Sequence, residues 1–312
     1  MSKALICGSF AFDIIMNFDD RFQRHLLSDQ LHQLNVSFLV SKMRREFGGC
    51  AGNIAYNLHL LDPEAAIPMG TVGMDFSEYA QWMDQKHIFR KHIRTIDSIY
   101  TAQAYITTDQ KGNQITIFHP GAMNHSHENQ VTEADNISMG IVSPDGKQGM
   151  IDHATQFSEA GIPFMFDPGQ GMPMFDSKDL LQFMAQANWM IFNDYEFELF
   201  KERTGKNLND IRSQVEALIV TKGEAGAIIY TSKKAIEIPS VKATAILDPT
   251  GCGDAFRGGL LYGILNNMDW DVCGKIGSLL GAYKIATYGT QNHEVSKISF
   301  FERLTFEFGN II

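Results

Sequence analysis

GGCAGNIAYNLHLL (48–61) opens on a pair of glycines and continues with Ile54, Ala55, Leu58 and Leu61 at helical spacing, the apolar stripe of an amphipathic helix. Upstream, ALICGSF (4–10) is a short apolar run of the kind that fills a buried strand. A strand followed by a helix begins a βα alternation, and the alternation continues along the chain. IPMGTVG (67–73) leads into a helix from about 76, and ISMGIVS (137–143) leads into a helix near 147–160. IPFMFDP (162–168), WMIFN (189–193) and ALIVTKG (217–223) supply further strands. The expected fold is α/β, a Rossmann-like, mainly parallel sheet flanked by helices, with ligands at the carboxyl ends of its strands. Two regions break the alternation. Residues 14–45 carry no clear helix, and IYTAQAYITTDQKGNQITIF (99–118) reads as a hairpin with β-rich arms around a DQKGN turn. Segments 14–45 and 99–122 therefore predict a small β-sheet lid on a single domain spanning 1–312.

Composition narrows the function. The 312 residues have a formal net charge of −10 and 44% hydrophobic content, which describes a globular protein without a basic footprint for nucleic acid or an anionic membrane. No run approaches the roughly 18 apolar residues of a membrane span. MSKALICGSF lacks the pattern of a signal peptide, so a cytoplasmic location is expected. The four cysteines (Cys7, Cys50, Cys252, Cys273) form no CxxC pair, which favours reduced thiols over disulfides or structural zinc. His125, His127 and Glu128 in NHSHEN read as a solvated loop, and Arg44 with Arg45 as a solvated pair beside the lid.

Chemistry concentrates in DPTGCGDAFRGG (248–259). Gly251 and Gly253 remove side chains from a turn, and Phe256, Leu260 and Ile264 then repeat at helical spacing. The turn sits at a helix N-terminus, where free N–H groups and the positive end of the dipole suit an anion such as phosphate. Asp254 has two readings there. It either accepts the proton of a hydroxyl that attacks a phosphoryl group, or caps the helix. No GxxxxGK[ST] occurs, no GxGxxG follows a strand, and the protein-kinase motif set is missing.

With those devices excluded, the combination of EFGGCAGNIAYNL (46–58), FNDYE (192–196) and DPTGCGDAFRGG resembles the ribokinase (PfkB) family of carbohydrate and nucleoside kinases. The resemblance covers almost the whole chain and implies a ribokinase-like fold, ATP as donor and Mg2+ as the metal. Asp254 then matches the catalytic base, with Gly251, Cys252 and Gly253 supplying the N–H groups of an anion hole. Asn193 and Glu196 match a pair that organises magnesium-bound water; read without the family, they are a helix cap and its capping box. Thr221 and Gly223, in VTKGEAGA (220–227), match a nucleotide-binding turn whose plain reading is a hairpin. Asn292 lies in a segment similar to the loop beside adenine. Asp248 and Thr250 match positions that, with backbone carbonyls, hold a monovalent cation such as K+, although Pro249 departs from that pattern.

On the acceptor side the resemblance makes Asp13 the residue that holds sugar hydroxyls, helped by Gly49, Asn53 and Ser9. A nucleoside also needs a flat platform and polar groups for its base. Phe118, Phe166, Gln170, Gln103 and Phe38 are the candidates, each with core packing as the plain alternative. DPTGCGDAFRGG, IFHPGAM and the FDPGQ turn are similar to the adenosine and broad nucleoside kinase branch, which implies ATP-dependent phosphorylation of a nucleoside 5′-hydroxyl, adenosine first, with a sugar kinase as the alternative. A non-catalytic nucleoside sensor is the remaining reading. Arg257 either contacts phosphate or faces solvent. Two chains are expected to pair through the exposed edges of the lid.

Overall fold

A computed structural model describes residues 2–26 and 36–311. In chain order its strands are β1 (Ala4–Cys7), β2 (Ala11–Phe18), β3 (Val40–Gly48), β4 (Ala66–Gly73), β5 (His92–Ile96), β6 (Ala102–Thr108), β7 (Gln114–His119), β8 (Met139–Val142), β9 (Phe164–Phe166), β10 (Trp189–Asn193), β11 (Ala217–Thr221), β12 (Ala227–Thr231) and β13 (Ala235–Ile238). The helices are α1 (Cys50–Leu61), α2 (Ser77–Gln85), α3 (Lys147–Glu159), α4 (Ser177–Gln186), α5 (Asp194–Thr204), α6 (Leu208–Arg212), α7 (Cys252–Leu265), α8 (Trp270–Ile285) and α9 (Lys297–Phe308).

The large sheet runs β13-β12-β11-β10-β9-β8-β1-β4-β5. It is parallel from β5 to β11 and antiparallel only where β12 and β13 fold back. β1 pairs with β4 on one side and β8 on the other, so strand order reverses there and a crevice opens at the carboxyl ends. The period of two decides which helices cover which face. Ala4 and Ile6 join the core under α1, α7, α8 and α9, whereas Leu5 and Cys7 join the core under α3, α4 and α5. Burying a side chain such as Leu5 or Ile6 contributes about 1.5–3 kcal/mol. Helix packing explains the trailing glycines of DAFRGG. A Cβ on Gly258 would lie 2.6 Å from the Asn57 side chain in α1, and one on Gly259 would lie 2.7 Å from Gly277 in α8. Among the described residues no helix is long and apolar enough to cross a membrane.

The second sheet has four strands in the order β3-β2-β6-β7, and β6 and β7 form the hairpin expected from DQKGN. Asp109 closes that turn by accepting from the N–H groups of Lys111 and Asn113. The sheet reaches beyond 14–45, because β2 starts at Ala11 and β3 ends at Gly48. Asp13 therefore lies inside a strand of the small sheet. Residues 27–35 of the expected lid lie outside the described residues. Phe38 packs against Phe18 and Phe22, the plain reading of that aromatic.

Candidate active site

The N-terminus of α7 is bare. Gly251 is its N-cap with φ 79°, a left-handed conformation that glycine adopts without strain, and no side chain caps the helix. The Cys252 N–H donates to the Pro249 carbonyl at 3.2 Å, while those of Gly251, Gly253 and Asp254 meet no acceptor among the described residues. The capping reading of Asp254 is therefore excluded. Its Oδ2 instead accepts from Asn53 Nδ2 at 2.8 Å, a bond from α1 to α7.

A chain of hydrogen bonds orients that amide. Gln291 Nε2 donates to Asn53 Oδ1 at 2.8 Å and to the Tyr79 hydroxyl at 2.6 Å, and the Tyr79 hydroxyl donates to the Gly48 carbonyl at 3.1 Å. Asn53 is thus left with its NH2 facing Asp254. Burial raises the Asp254 pKa to about 7, assisted by the negative charges of Asp167 and Asp13, against the lowering effect of Arg257 and the Asn53 hydrogen bond. A carboxyl that changes protonation near neutrality, beside an anion-binding helix end, is equipped to take a proton from an attacking hydroxyl.

Arg257 follows neither reading made for it. It is buried one turn below and grips Asp167 through Nε and Nη2, the latter at 2.6 Å, while Nη1 donates to the Gly253 carbonyl at 3.0 Å. The guanidinium braces the turn from behind. Asp167 is the middle residue of FDP (166–168), just after β9, where a lone acid between a buried strand and a proline was the only signal.

On the small-sheet side, Asp13 stands opposite Glu46 in β3, and its carboxylate lies against Gly48, where a Cβ would come within 2.7 Å of Oδ2. Burial raises its pKa to about 6, with Asp248 and Glu46 adding to the rise. Gly49 starts α1 with φ 88°, and Ser9 Oγ accepts from the Cys50 N–H at 3.2 Å. Gln103 donates to Asp75 Oδ2 at 3.0 Å. Phe118 is half exposed on β7, and Gln170 is exposed just after β9. Phe166 is corrected: it is fully buried and stacked on Phe183 at 4.1 Å, so it has no face for a base. Of the expected solvated pair, Arg45 is exposed and Arg44 is partly buried. Arg44 Nη2 donates to Asp248 Oδ2 at 3.0 Å, and Arg45 lies over the Phe12 ring and pairs with Glu78.

At the ends of β10 and β11, Asn193 and Glu196 form a reciprocal capping box on α5, with bonds of 2.7 and 2.8 Å. Thr221 Oγ1 donates to the Phe192 carbonyl at 3.3 Å, and Gly223 lies in the turn of the β11–β12 hairpin. Asn292 is exposed and donates to Glu46 Oε2 and the Tyr288 carbonyl, both at 2.9 Å. A cleft of about 620 Å³ opens between the small sheet and the Asp248 loop, lined by Ile15, Asn17, Arg44, Asp248, Thr250 and Tyr288 among others. Burial raises the pKa of Cys252 to about 11, leaving an inert small side chain. His125 and Glu128 pair at the surface at 2.8 Å.

The two cations implied by the motifs fare differently. Asp254, Asp167 and Glu196 share one guanidinium, that of Arg257, and burial followed by the charge of Asp167 raises the pKa of Glu196. Such an excess of negative charge suits a divalent cation held through water, and Asn193 with Glu196 fits that position. A monovalent ion does not fit at Asp248. Lys284 Nζ already donates to the Asp248 carbonyl at 2.8 Å and to the Thr287 carbonyl at 3.2 Å.

A nucleoside kinase of Methanocaldococcus jannaschii is 30% identical over 306 residues, covering 97% of each chain. The structure of Burkholderia thailandensis nucleoside kinase in complex with inosine superposes with a TM-score of 0.90 at 48% identity over 99% of both chains. The same kinase in its ADP-inosine complex gives a TM-score of 0.88 at 50% identity, over 99% of this chain and 97% of that one. The model of the pfkB family of carbohydrate kinases matches residues 9–297. The chain belongs to the pfkB family of carbohydrate kinases and is a phosphotransferase acting on a hydroxyl group.

Proposed function

We propose that the protein is a nucleoside kinase that transfers the γ-phosphoryl group of ATP to the 5′-hydroxyl of a purine nucleoside, adenosine first and inosine with it. The observation that carries the reading is the Asp254 carboxylate, released from capping, oriented by Asn53 and set beside the uncapped N-terminus of α7. The substrate class is supported by the relatives, three of which are named nucleoside kinases, one of them solved in complex with inosine.

In this reading Asp13 accepts hydrogen bonds from the ribose hydroxyls, and Phe118 and Gln170 face the base from the lid and the β9 turn. Asp254 takes the 5′-hydroxyl proton as that oxygen bonds to the γ-phosphorus and the bond to the β-phosphate bridging oxygen breaks. The N–H groups of Gly251, Gly253 and Asp254 meet the charge that develops on the transferring group, each donor of this kind contributing about 100- to 1,000-fold in rate. Asn193 and Glu196 would hold a magnesium ion through water, and the ion would neutralise phosphate charge. Thr221, Gly223 and Asn292 border the nucleotide. The small sheet serves as the lid, and two chains pair through its edges, where Met43, Ile117 and Phe118 are exposed. Sedimentation checks the pairing.

A panel of acceptors assayed with ATP and magnesium tests the function. Adenosine and inosine are expected to be phosphorylated far faster than ribose or fructose. Turnover of either sugar above every nucleoside overturns the substrate assignment.

A further inference from the structure

Lys284, near the C-terminal end of α8, is fully buried. The phosphoryl-transfer steps above make no use of it. An ammonium removed from water is costly unless its donors are satisfied and a negative charge lies close. The Asp248 and Thr287 carbonyls, at 2.8 and 3.2 Å, take two of its three donors; burial lowers its pKa below the ordinary lysine value, and the Asp248 carboxylate opposes that fall.

The same carboxylate gathers the backbone around it. Its Oδ1 accepts from the Thr250 N–H at 3.0 Å, and its Oδ2 accepts from the Gly289 N–H and from Arg44 Nη2, each at 3.0 Å. The Leu247 N–H donates to the Ile285 carbonyl at 2.9 Å. Segments 247–251 and 284–290 are therefore fastened together at one buried positive charge, and the first runs directly into the bare N-terminus of α7. Backbone carbonyls around a single desolvated charge are also what replaces water around a potassium ion. Here the charge is covalently attached to the chain.

We propose that the Lys284 ammonium is the resident monovalent cation of this loop pair, holding the backbone of the anion hole in place so that the enzyme works without an added potassium ion. The activity part of the test rests on the kinase reading, whereas the melting part stands without it. Phosphorylation of adenosine and the melting temperature are measured in KCl and in tetramethylammonium chloride at equal ionic strength. The wild-type protein is expected to show the same kcat and Tm in both salts. Several-fold activation by KCl, or a Tm that climbs with KCl as it does for a specific ligand, overturns the proposal.

Lys284→Met keeps the stem and removes the charge. It is expected to lose about tenfold or more in kcat in tetramethylammonium chloride through misplacement of the hole. A Met variant with wild-type kcat in that salt overturns the role. Should the variant not fold, the wild-type salt comparison still decides. Failure to phosphorylate any nucleoside in either salt counts against the kinase reading alone, and the Tm comparison still reports on Lys284.

Discussion

Helices α5 and α7 each carry a carboxylate at the third position of their first turn and use it in opposite ways. In α5, Glu196 reaches back to the Asn193 N–H while the Asn193 side chain accepts from the Glu196 N–H, so the helix end satisfies itself. In α7 the equivalent residue is Asp254, but Gly251 at the N-cap offers no side chain, and Asp254 turns across to Asn53 in α1. The same carboxylate position is a structural cap in one case and, in the proposed function, a base beside an open helix end in the other. Glycine at the N-cap makes the difference, because it leaves donors free that Asn193 would have satisfied.

Asp254→Asn is the strongest way to break that contrast. It is expected to cost about 100- to 10,000-fold in kcat, with nucleoside binding by calorimetry retained. Unchanged turnover would sink the mechanism. The same variant sharpens the comparison through stability. The folded carboxyl titrates near 7, above its ordinary value of 3.8, so the native state holds a proton that the unfolded chain releases between those values. Wild-type stability falls as pH rises through that window, and Asp254→Asn is expected to melt higher than wild type at pH 8, the gap closing toward pH 4. A variant that melts lower at pH 8 contradicts the raised pKa.

Gly251→Ala comes next. It places a Cβ 3.0 Å from Thr290 at a φ of 79°, with a strain of about 1–2 kcal/mol. Its effect on kcat is expected to be about 100-fold, the loss of one aimed donor. An alanine variant with full kcat would mean that the open N-terminus does no chemistry. Asn53→Ala removes a bond that lowers the Asp254 pKa, so the acid limb of kcat/KM is expected to move to higher pH than in the wild type. A limb that stays in place would separate Asn53 from the base. The smallest effect is expected at α5. Asn193→Ala removes a cap worth about 1 kcal/mol, or a few degrees of Tm, and a selective rise in KM for magnesium-ATP measures any share in the metal site.

Much of this was legible locally. The stripe of Ile54, Ala55, Leu58 and Leu61 and the DQKGN hairpin follow from periods of 3.6 and 2, which need only neighbouring residues. Asp254, Gly251 and Asn53 were legible as motif members. Phe166 was misread as a platform because an aromatic beside a turn looks the same in sequence whether its face meets a ligand or Phe183. Arg257 was misread for a similar reason, since its partner Asp167 lies 90 positions away. Tyr79 and Gln291, which orient Asn53, gave no local signal, although Gln291 sits next to the chosen Asn292.

By itself the sequence determined the alternation of strands and helices, the glycine turn before α7 and the net acidic charge, because hydrophobic period, turn chemistry and net charge are properties of nearby residues or of composition. Only the tertiary structure decided what the polar groups do. Asn53 meets Asp254 across 201 positions and Lys284 meets the Asp248 carbonyl across 36. Burial and the partners that folding brings together set both a carboxyl near neutrality and a lysine used as an internal cation, and neither is written in any short stretch of the chain.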